Sequence, residues 1–170
     1  MIVGVGTDIL KISRISNIVG FTVNQSNSAL LWNPSSINKL TNFSSRILSQ
    51  NELVRFNIEQ MPLIKNHNCE TPPNYSSIIN FLAKRWAVKE ALYKALFPKY
   101  KLTWKEVELL SLNGKPEIAY HKITPLRKTT HECLDFSQLR THVSISHDSG
   151  LIIAFAVVEK KLFNFNPIEY

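Results

Sequence analysis

The chain reads as a single α+β domain, with an N-terminal strand and a set of helices packed on an antiparallel sheet. Three observations predict this class. The chain opens with a short apolar run, Ile2-Val3-Gly4-Val5-Gly6. Its strongest helical periodicity spans Ser77 to Leu96, with apolar side chains at 78, 81, 82, 86, 88, 92, 95 and 96. The last third holds two hairpin patterns, each a pair of apolar or alternating runs joined by a turn.

The elements follow in order. Glycines inside the first strand point to close backbone approach by a neighbour. Ile9, Leu10, Ile12, Ile15, Ile18 and Val19 then fit helical spacing. On that reading Asp8 lies near a strand-to-helix junction, where Thr7 or Asp8 would serve as an N-cap. Residues 20–39, rich in Asn and Ser, read as a surface insertion. A helix resumes over residues 38–43, and Ser49-Gln50-Asn51-Glu52 starts another, with Leu53, Phe56 and Ile58 on one side. Residues 62–77, with three prolines, form a second loop. Phe97-Pro98 ends the long helix. Val107, Leu109 and Leu110, the turn Asn113-Gly114-Lys115-Pro116, and Ile118 with Tyr120 make the first hairpin. His142 to His147 alternate with period two, and Asp148-Ser149-Gly150 turns the chain into the apolar run 151–158. Both polar segments are excursions from one domain spanning 1–170, because neither flank could build a core alone.

Bulk properties narrow the function classes. Twenty Lys and Arg against thirteen Asp and Glu give +7, so the expected partner is anionic. Residues 84–128 hold eleven Lys or Arg and four Glu, which accounts for the whole excess. The apolar run 151–158 is too short for a membrane helix, so no membrane insertion is expected. Met1 leads straight into strand pattern, which leaves no room for a secretory signal. Cys69 and Cys133 are isolated and lack metal-ligand spacing, which favours a reducing compartment. Residues 9–51 contain no acidic residue, a composition also found in mitochondrial targeting segments and in plain polar loops.

Two carboxylates stand out against this basic background. Asp8 ends the first apolar run, and Glu90 sits within Arg85-Trp86-Ala87-Val88-Lys89-Glu90-Ala91-Leu92-Tyr93-Lys94. Unpaired buried carboxylates are costly. A pair of them beside cations suits Mg²⁺, which takes one or two carboxylates plus phosphate oxygens and water. The plainer reading makes Asp8 a helix cap, and Glu90–Lys94 and Arg85–Lys89 i,i+4 pairs along a solvated helix edge. Ser144, Ser146, His147 and Asp148 do not form a hydrolytic triad, since neighbouring strand residues face opposite ways and no nucleophile elbow is present. His121, His131 and His142 lack ligand spacing.

These residues carry a resemblance. Ile2-Val3-Gly4-Val5-Gly6-Thr7-Asp8-Ile9 with Arg14-Ile15 resembles the opening of the holo-[acyl-carrier-protein] synthases, members of the 4′-phosphopantetheinyl transferase superfamily. The segment from Phe81 to Leu96 resembles their second signature, and Asn113-Gly114-Lys115-Pro116 and Val143-Ser144-Ile145-Ser146-His147 their third and fourth blocks. Arg46-Ile47-Leu48-Ser49 with Glu52-Leu53 resembles a further block between the first two. The resemblance implies the 4′-phosphopantetheinyl transferase fold. It also implies transfer of phosphopantetheine from coenzyme A to a serine of an apo acyl carrier protein, with release of adenosine 3′,5′-bisphosphate. Asp8 and Glu90 fall on the family's Mg²⁺ ligands, and Asp8, Glu90 and Lys94 on its catalytic positions. Either Glu90 or a water on the metal would take the serine proton. Arg85, Lys94, Lys115, Pro116, Ser146 and His147 fall on coenzyme A contacts, and Arg14 and Arg46 on positions facing the carrier's acidic helix. The family implies a homotrimer with His147 supplied by a neighbouring subunit. Standalone members with insertions resemble eukaryotic enzymes of the mitochondrion, the alternative location being the cytoplasm.

Two departures from the short bacterial pattern are visible. The first two signatures lie further apart, and Phe97-Pro98-Lys99 stands where a Gly-rich turn would be, leaving Lys99 or Lys101 to replace its phosphate contacts. Two other classes compete. A nucleic-acid-binding module would bind without Mg²⁺ and leave Asp8 and Glu90 unexplained. A Mg²⁺-dependent phosphohydrolase would need further water-activating residues. Nucleic acid is therefore not the expected partner.

Overall fold

A computed structural model describes residues 1–23, 30–31, 34–65, 75–121 and 136–161. Strand β1 (Ile2–Lys11) leads into helix α1 (Ile12–Val19). The short strands β2 (Thr22–Val23) and β3 (Leu30–Leu31) pair with each other. Helices α2 (Pro34–Ile47) and α3 (Gln50–Arg55), a π-helical turn (Phe56–Gln60) and the one-turn α4 (Pro62–Lys65) precede the long α5 (Tyr75–Leu96). Hairpin β4 (Val107–Leu112)–β5 (Lys115–Tyr120) follows, and then β6 (Leu139–Asp148) and β7 (Leu151–Lys160). The main sheet has the order β1-β7-β6 and is antiparallel throughout. Among the described residues no helix is long and apolar enough to cross a membrane.

Helix α5 is the spine of the core. Ile78, Leu82, Ala83, Ala87, Val88, Ala91 and Leu92 are fully buried in one core cluster with Ile152, Ala154, Ala156 and Val158 of β7 and Leu10 of β1. The expected close approach at the first strand is real. A Cβ placed on Gly6 would overlap the carbonyl oxygen of Ala91, and one on Gly4 that of Ala95. The strand therefore lies directly on the helix backbone. The first hairpin turns at Asn113 and Gly114, both at positive φ (52° and 80°), the backbone that an Asn-Gly pair supplies.

Four boundaries differ from expectation. β1 continues through Lys11, because it pairs with β7 from Gly4↔Val158 to Lys11↔Leu151. Asp8 therefore sits inside a strand rather than at a helix junction. Helix α1 starts after Lys11 without a side-chain cap, and the Thr7 hydroxyl donates instead to the Ala154 carbonyl. Ile9, expected on a buried helical face, is 64% exposed, since strand alternation sends it opposite Leu10. Helix α2 is longer than residues 38–43, and its N-terminal turn lies inside the expected insertion. It buries Leu40, Phe43 and Ile47, a spacing that holds through two turns. Helix α5 begins at Tyr75 rather than Ser77. Phe56 is buried but Ile58 is not, because the chain passes into a π-helical turn at Phe56 and the α spacing no longer applies. Cys69, Cys133 and His131 lie outside the described residues.

Candidate active site

Asp8 and Glu90 meet where β1 crosses α5. Strand alternation places Asp8 on the same face as Gly6 and Leu10, toward the helix. Its side chain is 14% exposed. Lys94 does not close on Glu90 one turn back, as helix spacing alone suggests. Its ammonium reaches across to Asp8 Oδ1 at 2.8 Å and to the Thr7 carbonyl at 2.9 Å. Partial burial, and then the charge of Asp8, push the Glu90 carboxyl above the usual range, while Lys94 and Arg14 oppose the rise. The two carboxylates are thus near enough to act on one another's charge. Among the described residues no group of three or more His, Cys, Asp or Glu forms a metal cluster. The donor set of two carboxylates fits an ion that completes its shell with phosphate and water oxygens, which is Mg²⁺ behaviour.

Glu90 also lines a cavity of about 380 Å³ with Lys89, Tyr93, Lys101, Leu102, Thr103 and Trp104. Of the two lysines expected to stand in for a Gly-rich turn, Lys101 lines this cavity and Lys99 does not.

Lys89, in the lining of the cavity, is held by a residue whose importance the sequence reading missed. Ser49 caps α3 in a capping box, accepting from the Glu52 amide while Glu52 Oε2 accepts from the Ser49 amide. The same carboxylate, fully buried, accepts from Lys89 Nζ at 2.5 Å and from the Leu109 amide at 2.9 Å, with Arg85 Nε 3.3 Å away. Lys89 is 2% exposed and also donates to the Ile47 and Trp104 carbonyls. Arg85 and Lys89 are therefore not a solvated edge. Burial lowers Lys89 to about 8 and Arg85 to about 10, with Glu52 pulling both back up. The Ser-x-x-Glu spacing was the readable signal for Glu52. Its partners on α5 and β4 were not readable.

Arg85, Pro116 and His147 come together in a second cavity of about 490 Å³, with Arg55, Glu59, Phe81, Lys84 and Ile145 among its walls. Arg85 lies over the Phe81 ring at 3.3 Å from its centroid. Sequence reasoning left Arg55 and Lys84 unassigned; Arg55 is ion-paired with the buried Glu108, and Lys84 adds positive charge to the wall. Lys115 is exposed at the hairpin turn and is not among the wall residues. Ser146 points the other way from His147, paired opposite Ile153 on the outer face of the sheet. No residue lines both cavities. Arg14 on α1 and Arg46 on α2 are both exposed.

A carboxylate pair amid cations, on an α+β frame whose core helix carries half of it, defines a phosphate-handling enzyme site. Comparison with known proteins agrees. The model of the 4′-phosphopantetheinyl transferase superfamily matches residues 4–156. The chain is 32% identical over 166 residues to the holo-[acyl-carrier-protein] synthase of Orientia tsutsugamushi, covering 95% of this chain and 100% of that one. It is 31% identical over 162 residues to the synthase of Buchnera aphidicola, covering 94% and 98%. Among solved structures, the holo-[acyl-carrier-protein] synthase of Neisseria meningitidis superposes with a TM-score of 0.57 at 27% identity, covering 94% of this chain and all of that one. The Bacillus anthracis synthase, solved with CoA (3′,5′-ADP), shares the fold with a TM-score of 0.56 at 24% identity, covering 95% and 99%. This chain belongs to the 4′-phosphopantetheinyl transferase superfamily.

Proposed function

We propose that the chain is a holo-[acyl-carrier-protein] synthase, transferring 4′-phosphopantetheine from coenzyme A to a serine of an apo acyl carrier protein. Mg²⁺ is its cofactor and adenosine 3′,5′-bisphosphate the product released. The observation that carries this reading is the convergence of Asp8 and Glu90 across the β1–α5 contact, with Lys94 bonded to Asp8. When bound, Mg²⁺ would neutralise charge on the coenzyme A pyrophosphate as the phosphoanhydride opens. Asp8 and Glu90 would hold it. A bond forms between the serine oxygen and the phosphorus bearing pantetheine, and the bond to the adenosine bisphosphate breaks. Glu90 is suited to receive the serine proton, because its environment already favours the protonated carboxyl. Lys94 orients Asp8 through its 2.8 Å bond to Oδ1, and Lys101 offers a cation on the cavity beside Glu90. Arg14 and Arg46 would meet the acidic face of the carrier, which the net charge of +7 helps to steer. Incubation with coenzyme A, Mg²⁺ and apo carrier protein should add one phosphopantetheine to the carrier by intact mass. No adduct on any carrier tested would overturn the reading.

A homotrimer is part of the same proposal. The outer face of the main sheet exposes Val5 (51%), Ile9 (64%), Ile153 (45%) and Phe155 (46%) side by side. A contiguous apolar patch of this kind marks an association surface. A second copy there would also provide a way for His147 to complete a neighbour's site, since the two cavities of one chain share no wall. Phe155→Glu should yield a monomer by light scattering and lose most transfer activity. A monomer with full activity would refute the trimer. Residence in the mitochondrion, beside the carrier protein found there, completes the proposal and is checked by imaging the tagged protein in its native cell.

A further inference from the structure

We propose that Trp86 and Phe43 form an aromatic shelf that positions Arg14 and Arg46, and with them the docked carrier protein, in register with Glu90. The inference rests on the carrier-protein reading and adds residues that the reading does not assign.

Four side chains from three helices stack in one row. The Arg14 guanidinium of α1 lies over the Trp86 ring, with Cζ 5.6 Å from the centroid. Trp86 of α5 stacks on Phe43 of α2 at 5.6 Å between centroids and 13° between planes. The Arg46 guanidinium lies over Phe43 at 5.8 Å. Both distances fall within cation–π range. Trp104 braces the indole from another side at 4.7 Å, so the ring has little freedom to turn. Phe43 is 4% exposed and Trp86 only partly so; they are fixed by the core, while the cations they carry remain outside.

The placement has a functional consequence. Trp86 and Glu90 are four residues apart on α5 and share a helix face. Arg14 is close enough to Glu90 to oppose the rise in its pKa. Among the described residues neither Arg14 nor Arg46 makes an ion pair, so the faces of the guanidinium groups are held by rings while their N–H donors stay open. Helices α1 and α2 carry no acidic residue, and Lys11 and Lys39 extend the positive surface. A surface arginine ordinarily gives up much side-chain entropy when it binds. Two arginines already stacked lose less, and the carboxylates they engage are set at a fixed offset from Glu90. The shelf thus acts as a positioning element for the protein substrate and leaves coenzyme A untouched.

Steady-state kinetics with an apo acyl carrier protein that the wild type modifies, varied separately from coenzyme A, test this. Trp86→Leu should raise KM for the carrier about fivefold, the loss of a cation–π contact. KM for coenzyme A and kcat should stay within about twofold. Trp86→Phe, which keeps a ring, should recover most of the carrier affinity. Arg14→Gln should cost less in the Trp86→Leu background than alone, a non-additivity expected of groups in contact. Should the leucine variant unfold, Trp86→Met fills similar space without a ring and carries the same expectation. An unchanged carrier KM in a folded ringless variant, or equal rises in both KM values, would overturn the shelf while leaving the transferase reading intact. A wild type that modifies no carrier would overturn both.

Discussion

Glu52→Ala should cost about 3–5 kcal/mol of unfolding free energy, the range for removing one partner of a buried ion pair. The carboxylate is fully buried and serves Lys89, the Ser49 and Leu109 amides and, more loosely, Arg85. Removing it strands a buried ammonium and two backbone donors at once. It also opens the capping box of α3, worth about 1 kcal/mol by itself. With domain stabilities of roughly 5–15 kcal/mol, such a loss takes a large share of the whole. Urea unfolding measures it, and a loss below about 1 kcal/mol would show that Lys89 finds another partner or water. Glu52→Gln should lose less, because its single amide oxygen still accepts from one of the two backbone donors, the Ser49 or the Leu109 amide.

Asp8→Asn and Glu90→Gln should each lower transfer at least about a hundredfold, beyond what disturbing the outer shell of a metal site costs. The two substitutions separate activity from stability. Glu90 is raised in the folded protein, so the sign runs against the usual carboxylate. Between the ordinary Glu range and its elevated folded value, only the folded state holds the proton. Metal-free protein therefore loses stability as pH rises through that window, and above it the folded state carries the strained charge. Glu90→Gln removes that charge and should raise the melting temperature without Mg²⁺ while abolishing transfer. In the wild type, Mg²⁺ should stabilise more at pH 7.5 than at pH 5.5, where protons compete for Glu90. Thermal scans with and without Mg²⁺ at both pH values test this. A Glu90→Gln variant that melts below the wild type without metal would contradict the assignment of Glu90 as a strained carboxylate.

The sequence exposed the frame more fully than the wiring. Apolar patterns located α5 and both hairpins, because each element contributes apolar side chains to the same core. The first strand was read as ending at Asp8, since Ile9 and Leu10 also fit a helix. Only the β7 partner, some 140 residues away, shows that they alternate across a sheet. Asp8 and Glu90 were legible as an odd pair of carboxylates in basic surroundings. The partner of Lys94 was not, because helix spacing offers Glu90 and the strand contact that supplies Asp8 is a tertiary fact. Glu52 shows the same limit. Its cap is written in four consecutive residues, while its ion pair joins positions brought together by folding.

The contact of Gly6 with Ala91 has a meaning beyond packing. Gly6 lies two positions before Asp8 on the same strand face, and Ala91 directly follows Glu90. The gap between strand and helix is thus also the ruler that sets the carboxylates apart. A single methyl group at position 6 would lengthen that ruler while leaving both carboxylates and every cation in the chain. A search for catalytic residues by chemical type would never stop at a glycine. Yet this hydrogen in place of a side chain fixes the bite of the site as surely as the two acids that form its jaws.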